Sequence, residues 1–133
     1  MIAMRGSEVY AMVSLQSRLS GATSYQLISI LFEGAHNAIQ CAKIYAQNGN
    51  VARRGEMISK AINIIDNGLR SALDHEQGGE IAANLDRLYE YMLRTLLQAN
   101  LKHDQTLLLH VDELLVGMAE TWEKINPEKK SDI

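Results

Sequence analysis

The chain has 133 residues, 47% of them hydrophobic and 22% charged, with a formal net charge of -3 at pH 7. That is enough length for one domain with a real core, and basic residues so scattered, with no run beyond Arg53-Arg54 and Lys129-Lys130, leave no electrostatic footprint for nucleic acid. No apolar run reaches the ~18 residues of a membrane span, and the single Cys41 excludes an internal disulfide and fits a reducing cytosol.

Residues 1–23 read as an N-terminal arm punctuated by Gly6, Ser7, Ser20 and Gly21. Its first ten residues lack the long apolar stretch of a secretory signal. Val9, Tyr10, Val13 and Ser17 give it one short helical face, and an isolated helix of that length is marginal in water.

The spacing predicts a first helix from Thr23-Ser24 to Asn48-Gly49. Thr23 with Gln26 makes a capping box, and Leu27, Leu31, Ala35, Ala38, Ala42 and Tyr45 form a heptad seam. A second helix is expected over Val51 to Gln77, with Ile58, Ile62, Ile65, Leu69 and Ala72 inward, Asp74 facing water, and Gly78-Gly79 ending it. Met57 and Ile64 lie on its edge as apolar surplus.

The third helix, Gly79 to His103, is unusual. Ile81, Leu85, Leu88, Met92, Leu96 and Ala99 sit at core spacing, and Tyr89, Leu93 and Leu97 widen the face. The apolar arc spans roughly 180°, against about 100° for an ordinary amphipathic helix. Asp104 is the expected N-cap of a fourth helix carrying Leu107, Val111, Leu114, Met118 and Ile125, with Leu115 and Trp122 beside them and Leu109 and Val116 on another side. After Trp122 the chain turns polar, and residues 126–133 are expected to lie outside the folded part.

Valine, isoleucine and threonine never alternate with polar residues for long, so no strands are expected. Four helices with short connections must be antiparallel neighbours. The expected fold is therefore all-α: an up-down-up-down four-helix bundle over residues 24–125 behind the arm.

Catalytic chemistry has no support in this pattern. Glu33 and His36 have the Glu-x-x-His spacing of a di-iron bundle, but no second copy exists. His36 falls on the polar side of its helix and lacks the context of a phosphotransfer histidine, as do His103 and His110. Cys41 neighbours the first seam with no residue at helical reach to lower its pKa, so a partly buried, unreactive thiol is expected. No catalytic residue, metal or cofactor is expected.

The apolar surplus remains. Leu93, Leu97 and Leu101 form an i, i+4, i+8 ridge, and Met57 with Ile64 does likewise on the second helix. Large apolar patches mark interaction sites, and an inter-helix groove suits an amphipathic peptide. Tyr89, Leu93, Leu97, Met57 and Ile64 are the candidate partner-binding residues. A homodimeric structural or adaptor bundle that covers these faces with its own copy is the alternative.

Agreement spread along the chain points to one family. It takes in Gly6 and Tyr10, Ala22-Thr23, Leu27-Ile28, Leu31-Phe32-Glu33-Gly34-Ala35, the stretch 59–74 (SKAINIIDNGLRSALD), Gly78-Gly79-Glu80, the stretch 88–100 (LYEYMLRTLLQAN), Asp104 and Trp122. In these residues the chain resembles the FliS family of flagellin-specific export chaperones. The resemblance implies a cytoplasmic, non-enzymatic chaperone. It would bind the disordered C-terminal segment of flagellin, prevent premature polymerisation and assist export by the flagellar type III apparatus, with export gate components as further partners. It also implies that Tyr10, in the arm, plugs part of the apolar site until the client arrives.

Overall fold

The computed structural model describes residues 23–126. Helix α1 is Ser24–Gln47, α2 is Val51–Asn63, α3 is His75–Lys102 and α4 is Gln105–Lys124, and α2 runs on into a π-helix, Ile64–Arg70. Among the described residues there is no strand. The fold is an all-α four-helix bundle: α1 packs on α2 and α4, and α3 packs on the π segment, α2 and α4. Residues 1–22 of the expected arm, Tyr10 included, and residues 127–133 of the expected tail lie outside the described residues.

Short polar side chains start each helix by accepting backbone N–H groups that have no partner within the first turn. Thr23 and Gln26 form the expected capping box. Asn50 accepts from the Arg53 N–H, and Asp104 accepts from Thr106 and Leu107 as its position suggested. At the end of α1, Gly49 takes the left-handed conformation at φ 73°, which costs glycine nothing sterically.

The core is aliphatic and drawn from every helix. Ile39, Ile58, Ile65, Leu69, Met92, Leu96, Leu108, Val111 and Leu115 are fully buried, each contributing about 1.5–3 kcal/mol by leaving water. Arg54 is buried beside them and donates to the Asn100 carbonyl and Oδ1. Its charge thereby lies against the C-terminal end of α3, where a helix dipole favours a cation.

The second predicted helix is corrected. It ends at Arg70, not Gln77, and its last turns are π-helical. A π turn carries one residue more than an α turn, so the inward face slips. Ala72, expected in the seam, is exposed, while Leu73 packs against the core. A close approach lies within this segment: a Cβ on Gly68 would stand 3.0 Å from Leu31 Cδ2. Asp74 does not face water along a helix but caps α3, accepting from Glu76 and Gln77.

Gly79, at φ 49° and ψ -121°, does break helical geometry, but inside α3, where it kinks the first turn away from the rest. Ile81 follows that kink and is 72% exposed, and Ala82 takes the buried place. In α4 the buried line is Leu108, Val111 and Leu115, so Leu114 and Met118 sit at its edge.

Two changes at the α3–α4 corner should have opposite signs. Asp104→Ala removes the cap of α4 and should lower stability by about 1 kcal/mol. His103 is held at φ 53°, so His103→Gly should raise stability by roughly 0.5–1 kcal/mol. Urea unfolding midpoints measure both.

Candidate partner-binding surface

The expected binding residues do not share one wall. Ile64 is only 8% exposed and packs on α1, where its Cδ1 would lie 3.3 Å from a Cβ on Gly34. Met57 and Leu93 are half-buried against the core. Tyr89 is 4% exposed, whereas Leu97 is 53% and Leu101 74% exposed. Leu97 and Leu101 thus form the open part of the α3 ridge. Leu109 and Val116 are exposed on α4, as their spacing suggested.

Tyr89 instead borders an apolar cavity of about 520 Å³. α1 contributes Ile28 and Phe32 to it, the π segment contributes Leu69, and the turn after it contributes Ala72 and Leu73. α3 adds Leu85 and Leu88, and α4 adds Leu114, Met118, Trp122 and Ile125. Glu113, Gly117 and Thr121 complete the α4 side, and Glu113 is the one charged residue among the lining residues. Burial pushes the Tyr89 hydroxyl up to about 12, because an ionised phenolate there would lose its hydration.

A second cavity of about 640 Å³ lies on the other side of α4, against α1. Phe32, Leu115, Val116, Ala119 and Trp122 give it an apolar floor, and Glu33, His36, Glu120, Glu123 and Lys124 give it a polar rim. Phe32 and Trp122 belong to both cavities.

Trp122 is fixed between them by Tyr25. The rings stack at 5.1 Å between centroids and 9° between planes. The indole Nε1 donates to the Tyr25 carbonyl, and the Tyr25 hydroxyl lies 3.1 Å from both the Trp122 carbonyl and Glu123 Oε2. This clasp ties the start of α1 to the end of α4.

Polar contacts hold the remaining seams. Arg70 donates to both carboxylate oxygens of Asp86. The guanidinium lowers the Asp86 carboxyl below its ordinary pKa, and the same hydrogen bond raises Arg70. His36, expected on a solvated face, bridges two helices: its Nδ1 stands 2.6 Å from Asp112 Oδ1. A carboxylate only accepts, so that nitrogen carries the proton. Gln40 donates to the other oxygen of Asp112.

Cys41 is exposed, not partly buried. It sits about 100° round the helix from fully buried Ala42, enough to turn it outward. Among the described residues no cluster of three or more histidine, cysteine or acidic side chains could hold a metal. No helix among them is long and apolar enough to cross a membrane.

Sequence reasoning missed the cavity although it named most of its walls, because it placed Leu69, Leu85, Leu88, Leu114 and Met118 in a closed seam. The available signal was the excess width of the third helix.

The Tyr89 shift sets a pH expectation. Its raised folded pKa means the native state keeps a proton that the unfolded chain loses above about pH 10. Stability should therefore fall between about pH 10 and about 12. In Tyr89→Phe, thermal unfolding across that range should lack this component of the loss.

Comparison with known proteins identifies the family. The family model described as "Flagellar protein FliS" matches residues 6–129. A Salmonella typhimurium protein named flagellar secretion chaperone FliS is 50% identical over 92% of this chain and 91% of its own length. The Escherichia coli protein of that name is 40% identical, covering 93% of this chain and 91% of its own length. The Pseudomonas aeruginosa flagellar secretion chaperone FliSB is also 40% identical, over 95% and 99%. The match extends through all four helices and both sides of the cavity, and the chain belongs to the FliS family.

Proposed function

We propose that this protein is a cytoplasmic flagellar secretion chaperone. It binds the disordered C-terminal segment of flagellin, keeps the subunit from polymerising prematurely, and assists its export by the flagellar type III apparatus. Its role is binding, without catalysis. Membership of a family whose curated relatives carry the chaperone name supports the general role. The observation that carries the client reading is the apolar cavity between α1, the π segment, α3 and α4.

A disordered segment pays an ordering cost when it folds onto a partner, of order 2–5 kcal/mol or more. Each aliphatic side chain it buries returns about 1.5–3 kcal/mol. A few anchors in the cavity, with others along Leu97 and Leu101, offset that cost. In this reading the client wraps two faces of the bundle. Tyr10, before the described residues, competes with it for the apolar site, and export gate components meet the loaded complex.

The test is calorimetric titration with the C-terminal segment of the cognate flagellin. Leu114→Asp, in the cavity, should weaken binding at least tenfold, and Leu97→Asp, on the ridge, several-fold, with circular dichroism unchanged. Trp122 is the single tryptophan of the chain and borders the cavity, so its emission should shift on binding. Wild-type affinity in both folded variants would reject the site. A dimer that persists on dilution and buries the ridge would replace the reading with the adaptor alternative.

A further inference from the structure

Gly117 sits in the middle of α4 with no reason among the described residues to be glycine. Glycine is the poorest helix former after proline, and it is tolerated where φ is positive or where another group comes close. Neither applies. Gly117 is not among the described glycines with positive φ, which are Gly49 and Gly79. A Cβ built on it would meet nothing within 4 Å. Gly34 and Gly68 differ, since each has a neighbour against its missing side chain.

What Gly117 does have is a place on the lip of the apolar cavity. Glu113, Gly117 and Thr121 follow one another at i, i+4 and i+8, all exposed and all lining it, on one face of the helix. The lip therefore has a notch between two longer side chains. Nothing described in this chain fills the notch, and the helix carries there a residue of poor helix propensity.

We propose that Gly117 is a specificity-determining position: its missing side chain leaves the room through which the bound client crosses α4 into the cavity. This rests on the chaperone reading above. The occupant is an amphipathic helical segment with aliphatic side chains toward the cavity. A lysine or arginine lies on its flank, opposite the carboxylate of Glu113, the one charge among the lining residues. Glycine at this position admits a helix backbone or a bulky side chain, and any larger residue narrows the entry.

The experiment titrates the C-terminal segment of the cognate flagellin into Gly117→Ala, Gly117→Leu and Gly117→Gln. All three should raise the thermal midpoint by a few degrees, since each is a better helix former. Affinity should fall with size, about twofold for alanine and at least tenfold for leucine and glutamine. Glutamine, long and polar, repeats the test if the leucine variant associates with itself. Glu113→Lys should weaken binding several-fold, more at low salt than at high salt. Equal losses for alanine and leucine would mean that glycine serves helix flexibility, and would overturn the proposal, as would unchanged affinity in all three. A wild type weakened by Leu114→Asp but indifferent to Gly117→Leu overturns the notch alone. A wild type that does not bind the segment overturns the chaperone reading with it.

Discussion

The Tyr25–Trp122 clasp is the contact on which the shape of the cavity-bearing end depends. Beyond Leu115, α4 has a cavity on each side, one toward α1 and one toward α3. A helix flanked in this way has few packed neighbours to hold it. Ring stacking adds about 0.5–1.5 kcal/mol beyond the area it buries, and a net hydrogen bond adds about 1 kcal/mol. Together these offset the loss of ordinary packing around the last turns of α4. Trp122 thereby acts as a pillar: it keeps α4 in place while both cavities stay open.

The other end of the bundle closes by ordinary means. Ile39, Ile58, Met92, Leu96 and Leu108 fill the space between the helices, and Arg54 on Asn100 secures α2 to the end of α3. The π segment lies between the two regimes. Just past its end Leu73 packs on the core while Ala72 stays exposed, and Arg70 holds the segment to α3 through Asp86. Gly68 lets the segment press close to Leu31. The cavity wall is thus a consequence of irregular helix geometry, backed by a charged pair on the outside and a close approach on the inside.

Much of this was legible in the residues, and the rest was hidden for definite reasons. Caps are local, so Thr23 with Gln26 and Asp104 declared themselves. Seam spacing located Ala35, Ala42, Met92 and Leu96. Periodicity gives the azimuth of a side chain on its own helix, not the helix it meets. That is why Ile64 and Leu93 were grouped although Ile64 packs on Gly34 of α1. A π turn has no sequence mark of its own, and it displaced Ala72 and freed Asp74 to cap α3. The His36–Asp112 bridge joins residues far apart in sequence, and each alone reads as surface. A cavity is the difference between available space and side-chain volume, and neither is written in a pattern of apolar positions.

The breadth of the apolar arc on α3 has a physical consequence under the proposed chaperone role, in which what is bound must also be released. A deep, fully enclosed pocket would hold an ordered ligand through nearly all of its surface. Here the apolar area is divided between a cavity at one end and the open ridge of Leu97 and Leu101 on the flank. A flexible client attaches to such a surface by separate anchors, each of modest strength, and each bound stretch raises the effective concentration of the next. The whole can be tight while every anchor exchanges quickly. Under the proposed chaperone role, such a client can leave one freed stretch at a time, which a single deep pocket would not allow.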